Sequence, residues 1–292
     1  MTSLDLKQIH ISSAIDLFSK GEINQALDVV QDLLKDYPNE PVLFNIKGAC
    51  YADLGQLDVA VTNYKEAIKI KPDYAKAHFN LAGSLHDLGQ LETAVQSYQK
   101  AIEIDASYTE AYNNLGNVYQ ELKQVDSAVQ SYQKALEIKP DYVAAQYSLG
   151  NTFMELGQLE EAVKSYKAAL KLKPDFAGAY NKLGSSLLEL DQLDESVRSY
   201  EAALKHKPDY VEAINNLGIA FYKLQQIDDA MKYYKRALAL DPDFADAHNN
   251  IGIVYLDLGQ LDEAAQSYKA ALKLKPEFVE AHYNLGVVLQ DL

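Results

Sequence analysis

The residue types that most often perform catalysis or bind metals are few in this sequence, and most of them recur at a fixed interval. Three of the six histidines, His78, His248 and His282, are separated by multiples of 34 residues, and tyrosine occupies the equivalent places at Tyr112 and Tyr180. These histidines are therefore interpreted as half-buried packing residues. Equivalent residues of adjacent repeats lie roughly 10 Å apart, too far to share a zinc ion. The sequence predicts no enzyme activity, no metal site and no cofactor.

Asparagine recurs at the same interval and offers a different chemistry. Asparagine has poor helix propensity, so a repeated column of it within helical segments requires a reason. One interpretation is a ladder of amides that bonds the backbone of an extended peptide whatever its side chains. The alternative is that the amides bond neighbouring helices and hold the repeats together. The predicted peptide-binding ladder is interrupted at Ser148 and Lys182 and comprises Asn80, Asn114, Asn216, Asn250 and Asn284.

A second asparagine column directly precedes the ladder, and for it the two interpretations have equal weight. Its members are Asn45, Asn113, Asn181, Asn215 and Asn249.

An acidic column lies seven residues beyond the ladder and is also predicted to contact the peptide. An anion near the C-terminal end of a helix opposes the helix dipole, which favours a role in solubility or ligand choice. Such a surface is negative and should prefer basic or neutral peptides. The predicted binding members of this column are Asp87, Glu121, Glu155 and Glu189.

A further acidic column, which includes Glu110, Glu212, Asp246 and Glu280, has two explanations. It can add to the negative binding surface. It can also begin helices, because Ser107 with Glu110 and Asp209 with Glu212 have the spacing of a capping box.

The elements that position these columns follow from the period. Seven prolines recur at 34 residues or a multiple of it, and residues 41–278 hold seven such units without an insertion or deletion. Tyrosine, alanine and glycine columns accompany the prolines: Tyr132, Ala128 and Gly116 mark one unit. Within each unit, apolar residues recur at helical spacing in two segments, separated by a short turn and closed by the proline. The small residues are predicted to let the helix axes approach while tyrosine fills the adjoining space.

The Leu-Gly, Tyr, Ala, Tyr, Ala and Pro positions of these units resemble the tetratricopeptide repeat family. Within that family the chain is similar to long bacterial arrays and to the superhelical half of O-linked N-acetylglucosamine transferases. The resemblance implies an all-α fold, a right-handed superhelical solenoid of antiparallel helix pairs. It also implies that the first helix of each pair lines a concave inner face. Position six of each unit, which holds the amide ladder, then lies on that face, as do positions two and thirteen.

The predicted organisation has three parts. Residues 1–40 form a degenerate N-terminal capping repeat, which keeps Gly21, Ala26 and Pro38, and residues 41–278 form seven complete units. Residues 279–292 supply the first helix of a further, truncated unit. Because each solenoid repeat buries its apolar residues only against its neighbours, we expect that end to associate weakly with another copy.

The charge and composition of the sequence restrict the kinds of molecule that the protein is expected to bind. The formal net charge of −15 makes nucleic acid and anionic membranes poor partners, and no apolar stretch approaches the roughly 18–20 residues that span a bilayer. A single cysteine and no visible secretory signal favour a cytoplasmic location. The predicted function is a peptide- or protein-binding scaffold. The alternative is the substrate-recognition arm of a larger enzyme, of glycosyltransferase or sulfotransferase type, with its catalytic domain beyond residue 292.

Overall fold

The computed structural model describes the backbone of residues 3–291 and the side chains of residues 7–291, and within them it contains helices and no strand. The chain divides within one helix into two compact units, residues 1–148 and 149–292. The first unit holds α1 (Ser3–Ser19), α2 (Ile23–Asp36), α3 (Pro41–Asp53), α4 (Leu57–Ile70), α5 (Ala75–Asp87), α6 (Leu91–Ile104), α7 (Thr109–Glu121), α8 (Val125–Ile138) and the start of α9 (Val143–Glu155). The second holds the rest of α9, α10 (Leu159–Leu172), α11 (Ala177–Glu189), α12 (Leu193–His206), α13 (Val211–Lys223), α14 (Ile227–Leu240), α15 (Ala245–Asp257), α16 (Leu261–Leu274) and α17 (Val279–Asp291).

Each 34-residue period thus gives a first helix of 13 residues and a second helix of 14. The second helices begin with an acidic residue in the first turn, for example Asp58 in α4 and Asp262 in α16, where a negative charge complements the helix dipole. They end before the Pro-Asp corner, where proline cannot continue the helical hydrogen bonding. At this corner the Lys207 ammonium lies 4.9 Å from the ring centroid of Tyr210, and Lys275 lies 4.5 Å from that of Phe278.

The turn between the two helices of a unit requires one residue with positive φ. Glycine supplies it at five of the turns, for example Gly157 with φ of 69°. The same position is occupied by Lys123, Asp191 and Gln225 in three further repeats, with φ between 57° and 61°. The turn geometry is therefore kept even where the residue must adopt the left-handed conformation at some cost in free energy.

Contacts between helices place the first helices on the inner side of each stack. Within each compact unit, consecutive helices pack together from α1 to α8 and from α10 to α17, and first helices of adjacent repeats also touch, as α3 does with α5 and α13 with α15. Among the described residues of each unit, no such contact joins one second helix to the next. A stack whose first helices are closer together than its second helices curves toward the first helices. The surface formed by the first helices within a unit is called the inner face below.

The core between the two helix layers is built from the glycine and tyrosine columns. Tyr132, Tyr166 and Tyr200 are fully buried. A Cβ atom at Gly184 would lie 2.6 Å from the Tyr200 ring, and the same distance separates a Cβ at Gly116 from Tyr132. The predicted close approach of helices at the small residues is confirmed, and the tyrosine ring occupies the space that a side chain would need.

Candidate peptide-binding site

A cavity of the second unit lies on the inner face between α13, α15 and α17. Its volume is about 440 Å³, within the range of ligand pockets. Amides of the predicted ladder line it, together with three carboxylates of the position-two column and four apolar side chains. The lining residues that matter below are Asn216, Asn249, Asn250, Glu212, Asp246, Glu280, Ile219, Ile253, Phe244 and Phe278.

Members of the amide ladder bond the preceding repeat. The Nδ2 atoms of Asn80 and Asn250 each donate to an asparagine of the preceding column, Asn45 and Asn215 respectively, over 3.0 Å. Asn216 donates to the Oδ1 of Asn181 over 3.2 Å. Each of these amides thereby uses one N–H to join two repeats, as the structural interpretation requires. Its second N–H donates no bond to a described residue, its carbonyl oxygen accepts none from one, and the side chain is half-exposed.

The two remaining ladder members differ from this pattern. Asn114 accepts a bond from Asn113 of its own helix over 3.2 Å, and its side chain also bonds the hydroxyl of Tyr98. Asn284 in α17 is half-exposed and bonds no described side chain. The five predicted residues therefore share the inner-face position but not one set of bonds.

The asparagine column at position five is buried, and three of its members join adjacent repeats. Asn45 and Asn215 are 4% exposed and accept bonds from the ladder, and Asn181 is fully buried and donates to Tyr210 and Glu212. Buried amides that bond neighbouring helices are structural groups, so for Asn45, Asn181 and Asn215 the structural interpretation holds.

Residues at position nine change the character of the inner face along the chain. The hydroxyls of Tyr132 and Tyr166 donate to Asn117 and Asn151 at this position, over 2.8 and 2.7 Å. In two later 34-residue repeats the position is apolar, with Ile219 and Ile253. The buried hydroxyl of Tyr268, which follows Ile253 by fifteen residues, has no partner among the described residues. The change removes a hydrogen-bonding group and gives the cavity an apolar floor. Sequence reasoning missed this floor, although the switch from asparagine to isoleucine at a fixed position was a readable signal.

Replacing Tyr268 with phenylalanine should stabilise the protein, whereas the same change at Tyr166 should destabilise it. At position 166 the substitution removes the hydroxyl together with the bond that it donates to Asn151, which should lower the free energy of unfolding by about 1 kcal/mol. The Tyr268 hydroxyl is a buried group without a partner, and its removal should recover about 1 kcal/mol. Denaturant unfolding of both variants tests this difference in sign. Equal losses at the two sites would show that the Tyr268 hydroxyl is satisfied in solution.

Tyr222 also lines the cavity, and its phenolic hydroxyl is held in the protonated form. Its hydroxyl donates to the carboxylate of Asp257, a member of the position-thirteen column. Burial, with the hydrogen bond to the Asp257 carboxylate second, raises the pKa of Tyr222 to about 12. The hydroxyl is therefore protonated near neutral pH and acts as a neutral hydrogen-bond donor.

The predicted acidic residues Asp87, Glu121, Glu155 and Glu189 are exposed at the ends of their helices. The Nε2 of His86 lies 2.7 Å from a carboxylate oxygen of Glu121, so part of this column joins adjacent repeats. In the second unit the carboxylates of the cavity come from position two instead, and position thirteen contributes Lys223. The structure thus brings two ladder members, Asn216 and Asn250, together with a different acidic column from the one that was predicted to bind.

Glu110 and Glu212 lie in the first turns of their helices, but the capping box, one of the two explanations for their column, does not form. The corner aromatics Tyr108 and Tyr210 occupy the N-cap positions of α7 and α13, and no side chain caps either helix. The Ser107 hydroxyl donates instead to the Asp105 carboxylate over 2.6 Å. Glu212 accepts a bond from Asn181 in the preceding repeat over 3.0 Å.

The histidines and the cysteine have structural explanations. The Nε2 atoms of His78, His248 and His282 lie 2.8–3.0 Å from the carbonyl oxygens of the corner prolines, six residues earlier. His78 and His248 are half-buried as predicted, while His282 is exposed. Cys50 is fully buried, and burial raises the pKa of its thiol to about 11, so it stays protonated near neutral pH.

Among residues 7–291, no group of three or more histidine, cysteine, aspartate or glutamate side chains is placed to hold a metal ion. Every helix within residues 3–291 is too short or too polar to cross a lipid bilayer.

The sequence profile of the TPR repeat matches this chain seven times. The matched residues are 48–87, 83–123, 116–157, 150–191, 184–225, 220–259 and 254–292. The chain belongs to the tetratricopeptide repeat family. The closer likeness to the glycosyltransferase arrays stays a prediction.

Individual relatives are more distant. The peroxisomal targeting signal receptor of Candida glabrata is 29% identical over 76 residues, which are 26% of this chain and 13% of the receptor, so the chain spans only a small part of that relative. The crystal structure of YrrB, described as a TPR protein with an unusual peptide-binding site, is 27% identical with a TM-score of 0.56, and the match covers 63% of this chain and 95% of YrrB. The Cut9–Hcn1 hetero-tetramer of the APC/C matches 99% of this chain and 57% of that chain, with 18% identity and a TM-score of 0.64, a likeness of fold alone.

Proposed function

We propose that this TPR scaffold binds an extended peptide along the inner face of its second unit and performs no catalysis. The observation that carries the proposal is the location and hydrogen bonding of Asn216 and Asn250. Both amides line the cavity, and both are held in place by a bond to the preceding repeat that uses one N–H. The remaining N–H and the carbonyl oxygen of each amide are the complementary pair that a peptide backbone needs.

The likeness to YrrB and to a targeting signal receptor agrees with peptide binding, although both are remote. The ligand is a protein segment or an extended peptide, basic or neutral, because the chain has a net charge of −15. A cytoplasmic location agrees with a single cysteine that is buried and free of a disulfide.

The decisive experiment selects 12-residue peptides from a random library on the immobilised chain and measures their affinity by calorimetry. Asn284→Ala is the cleanest variant, because its side chain bonds no described residue and its loss should leave stability unchanged. We expect it to weaken binding by about 1 kcal/mol, and the triple change of Asn216, Asn250 and Asn284 to alanine by several times that value.

A matched ligand separates backbone recognition from side-chain recognition. A peptide of identical sequence with alternate backbone nitrogens methylated lacks the N–H donors that the amides read. It should bind at least tenfold more weakly than the parent peptide. Undiminished binding of the methylated peptide, or of the triple variant with its fold intact, would show that the ladder is structural only.

The exposed apolar face of α17 leads us to expect weak self-association. Val279 is 80% exposed, Tyr283 73% and Leu289 54%, and large apolar patches of this kind favour contact with another copy. Light scattering should give an apparent mass that rises with concentration. The Tyr283→Glu and Leu289→Glu double variant should remain monomeric over the same range. A concentration dependence that is identical for both proteins would contradict this expectation.

A further inference from the structure

We infer that the cavity between α13, α15 and α17 anchors a cationic side chain, arginine or lysine, of the bound peptide. The inference deepens the proposed function and rests on it, because it concerns which residue of the peptide the inner face selects. Three observations on the cavity carry it.

Three carboxylates of consecutive repeats line this one cavity. Glu212, Asp246 and Glu280 lie in the first turns of their helices. Glu212 has partners, since it accepts from Asn181 over 3.0 Å and lies 4.0 Å from the Lys182 ammonium. Among the described residues, no basic group lies within ion-pair distance of Asp246 or Glu280. Two carboxylates are therefore left for an external cation.

The walls suit the stem of a long cationic side chain. Ile219 and Ile253 form the floor, and the corner aromatics Phe244 and Phe278 flank it. Arginine and lysine bury their methylene groups against such apolar surface while the charged end reaches polar groups. Aromatic faces also attract cations, as Lys275 shows by lying 4.5 Å from the ring centroid of Phe278 within the protein itself.

A buried acceptor without a donor points to a ligand more directly than the charges do. Asn249 lines the cavity and is 1% exposed, and its Oδ1 has no hydrogen-bond partner among the described residues. The equivalent oxygens of Asn181 and Asn215 accept from the ladder amides of the next repeat, Asn216 and Asn250. Asn284 would have to provide that bond to Asn249 and does not. A guanidinium or ammonium group that enters the cavity supplies the missing N–H.

Two features of the cavity count against a bound cation, and both are outweighed. Carboxylates in a first turn also complement the helix dipole, but that role does not account for the unpaired oxygen of Asn249. Lys223 lines the same cavity and adds one positive charge against three negative ones. The residues that line the cavity therefore keep a net negative charge.

The test compares two short probes by NMR titration of the full chain, acetyl-Ala-Arg-Ala-amide and the same peptide with citrulline. Citrulline keeps the shape of arginine and removes its charge. We expect the arginine probe to bind at least about tenfold more tightly and to shift the backbone resonances of Ile219, Asn249 and Ile253. Equal affinity of the two probes, or shifts confined to other helices, would overturn the inference.

Matched variants separate the cavity from general electrostatics. Asp246→Asn with Glu280→Gln should reduce the affinity for the arginine probe about tenfold. Asp194→Asn with Glu263→Gln removes the same charge from exposed first turns of the second helices, and it should change the affinity less than about twofold. Equal losses in the two variants would show attraction by net charge alone and would sink the inference.

The two proposals can fail separately. If library peptides bind in a manner that depends on Asn216, Asn250 and Asn284 but the arginine and citrulline probes bind alike, peptide binding stands and the cationic anchor does not. If the triple asparagine variant binds library peptides as tightly as the parent, the proposed function itself is wrong.

Discussion

Truncation of Tyr132 to alanine is expected to lower the free energy of unfolding by about 3–5 kcal/mol, the usual cost of removing a large buried aromatic side chain. The ring is fully buried between the helix layers, and its hydroxyl donates to Asn117 over 2.8 Å. Because each repeat packs only on its neighbours, the loss should be felt first by α7 and α8. Denaturant unfolding and amide hydrogen exchange of these two helices measure it.

Tyr283→Ala is the control for this variant. Tyr283 is 73% exposed on α17, so the same chemical change should alter the free energy of unfolding by less than about 0.5 kcal/mol. A loss of similar size at both positions would mean that the tyrosine column is not the core of the repeat.

The fold could be predicted from the sequence because each structural requirement recurs at a fixed spacing. The glycine at position eight, the tyrosine sixteen residues later and the corner proline appear in nearly every unit, and each has one physical reason. The exceptions are instructive: Lys123, Asp191 and Gln225 adopt the positive φ of the turn without being glycine. The turn is imposed by the packing of the two helices that it joins, so the local residue preference is overridden.

The binding surface could be predicted only in part. Asn216 and Asn250 lie in the cavity as the ladder required, but their bonds to Asn181 and Asn215 depend on the distance between adjacent repeats, which no spacing in the sequence specifies. For the acidic column at position two, the sequence leaves a capping role open beside a binding role. The corner aromatics Tyr108 and Tyr210 occupy the N-cap positions and exclude the capping box, which the spacing of Ser107 and Glu110 alone does not reveal.

Substitution of Gly184 by valine should strongly destabilise the second unit. A Cβ at this position lies 2.6 Å from the Tyr200 ring, which is itself fully buried. Overpacking by one or more methyl groups costs about 1–3 kcal/mol, and we expect valine to reach the upper end of this range. Thermal and denaturant unfolding of the variant measure the loss.

Gly286 is the matched control because it has the same position in its repeat. No atom lies within 4 Å of a Cβ placed there, so Gly286→Val should leave the free energy of unfolding nearly unchanged, within about 0.5 kcal/mol. Similar losses at Gly184 and Gly286 would show that helix propensity, rather than the tyrosine ring, sets the cost.

One repeat shows how the clash can be relieved. Ala82 replaces the glycine there, and the following residue is Gly83, whose Cβ position lies 3.7 Å from the Tyr98 hydroxyl. The Tyr98 hydroxyl thus lies beside the glycine, and the side chain of Asn114 in the next repeat bonds it. We expect that the alanine is accommodated because its neighbour has no side chain.

The same compensation should work in the repeat that contains Tyr200, because Asn216 in the next repeat occupies the position equivalent to Asn114. Gly184→Ala alone should cost about 1–3 kcal/mol. Ser185→Gly alone should cost about 1–2 kcal/mol, because glycine weakens a helix interior and the Tyr200 hydroxyl loses its bond to Ser185. Since the second change opens the space that the displaced ring needs, the double variant should be more stable than the sum of the single changes predicts, by about 1 kcal/mol. A double-mutant cycle measures this coupling directly. Strict additivity would mean that Tyr200 cannot follow the path taken by Tyr98, and that the pairing of Ala82 with Gly83 has another cause.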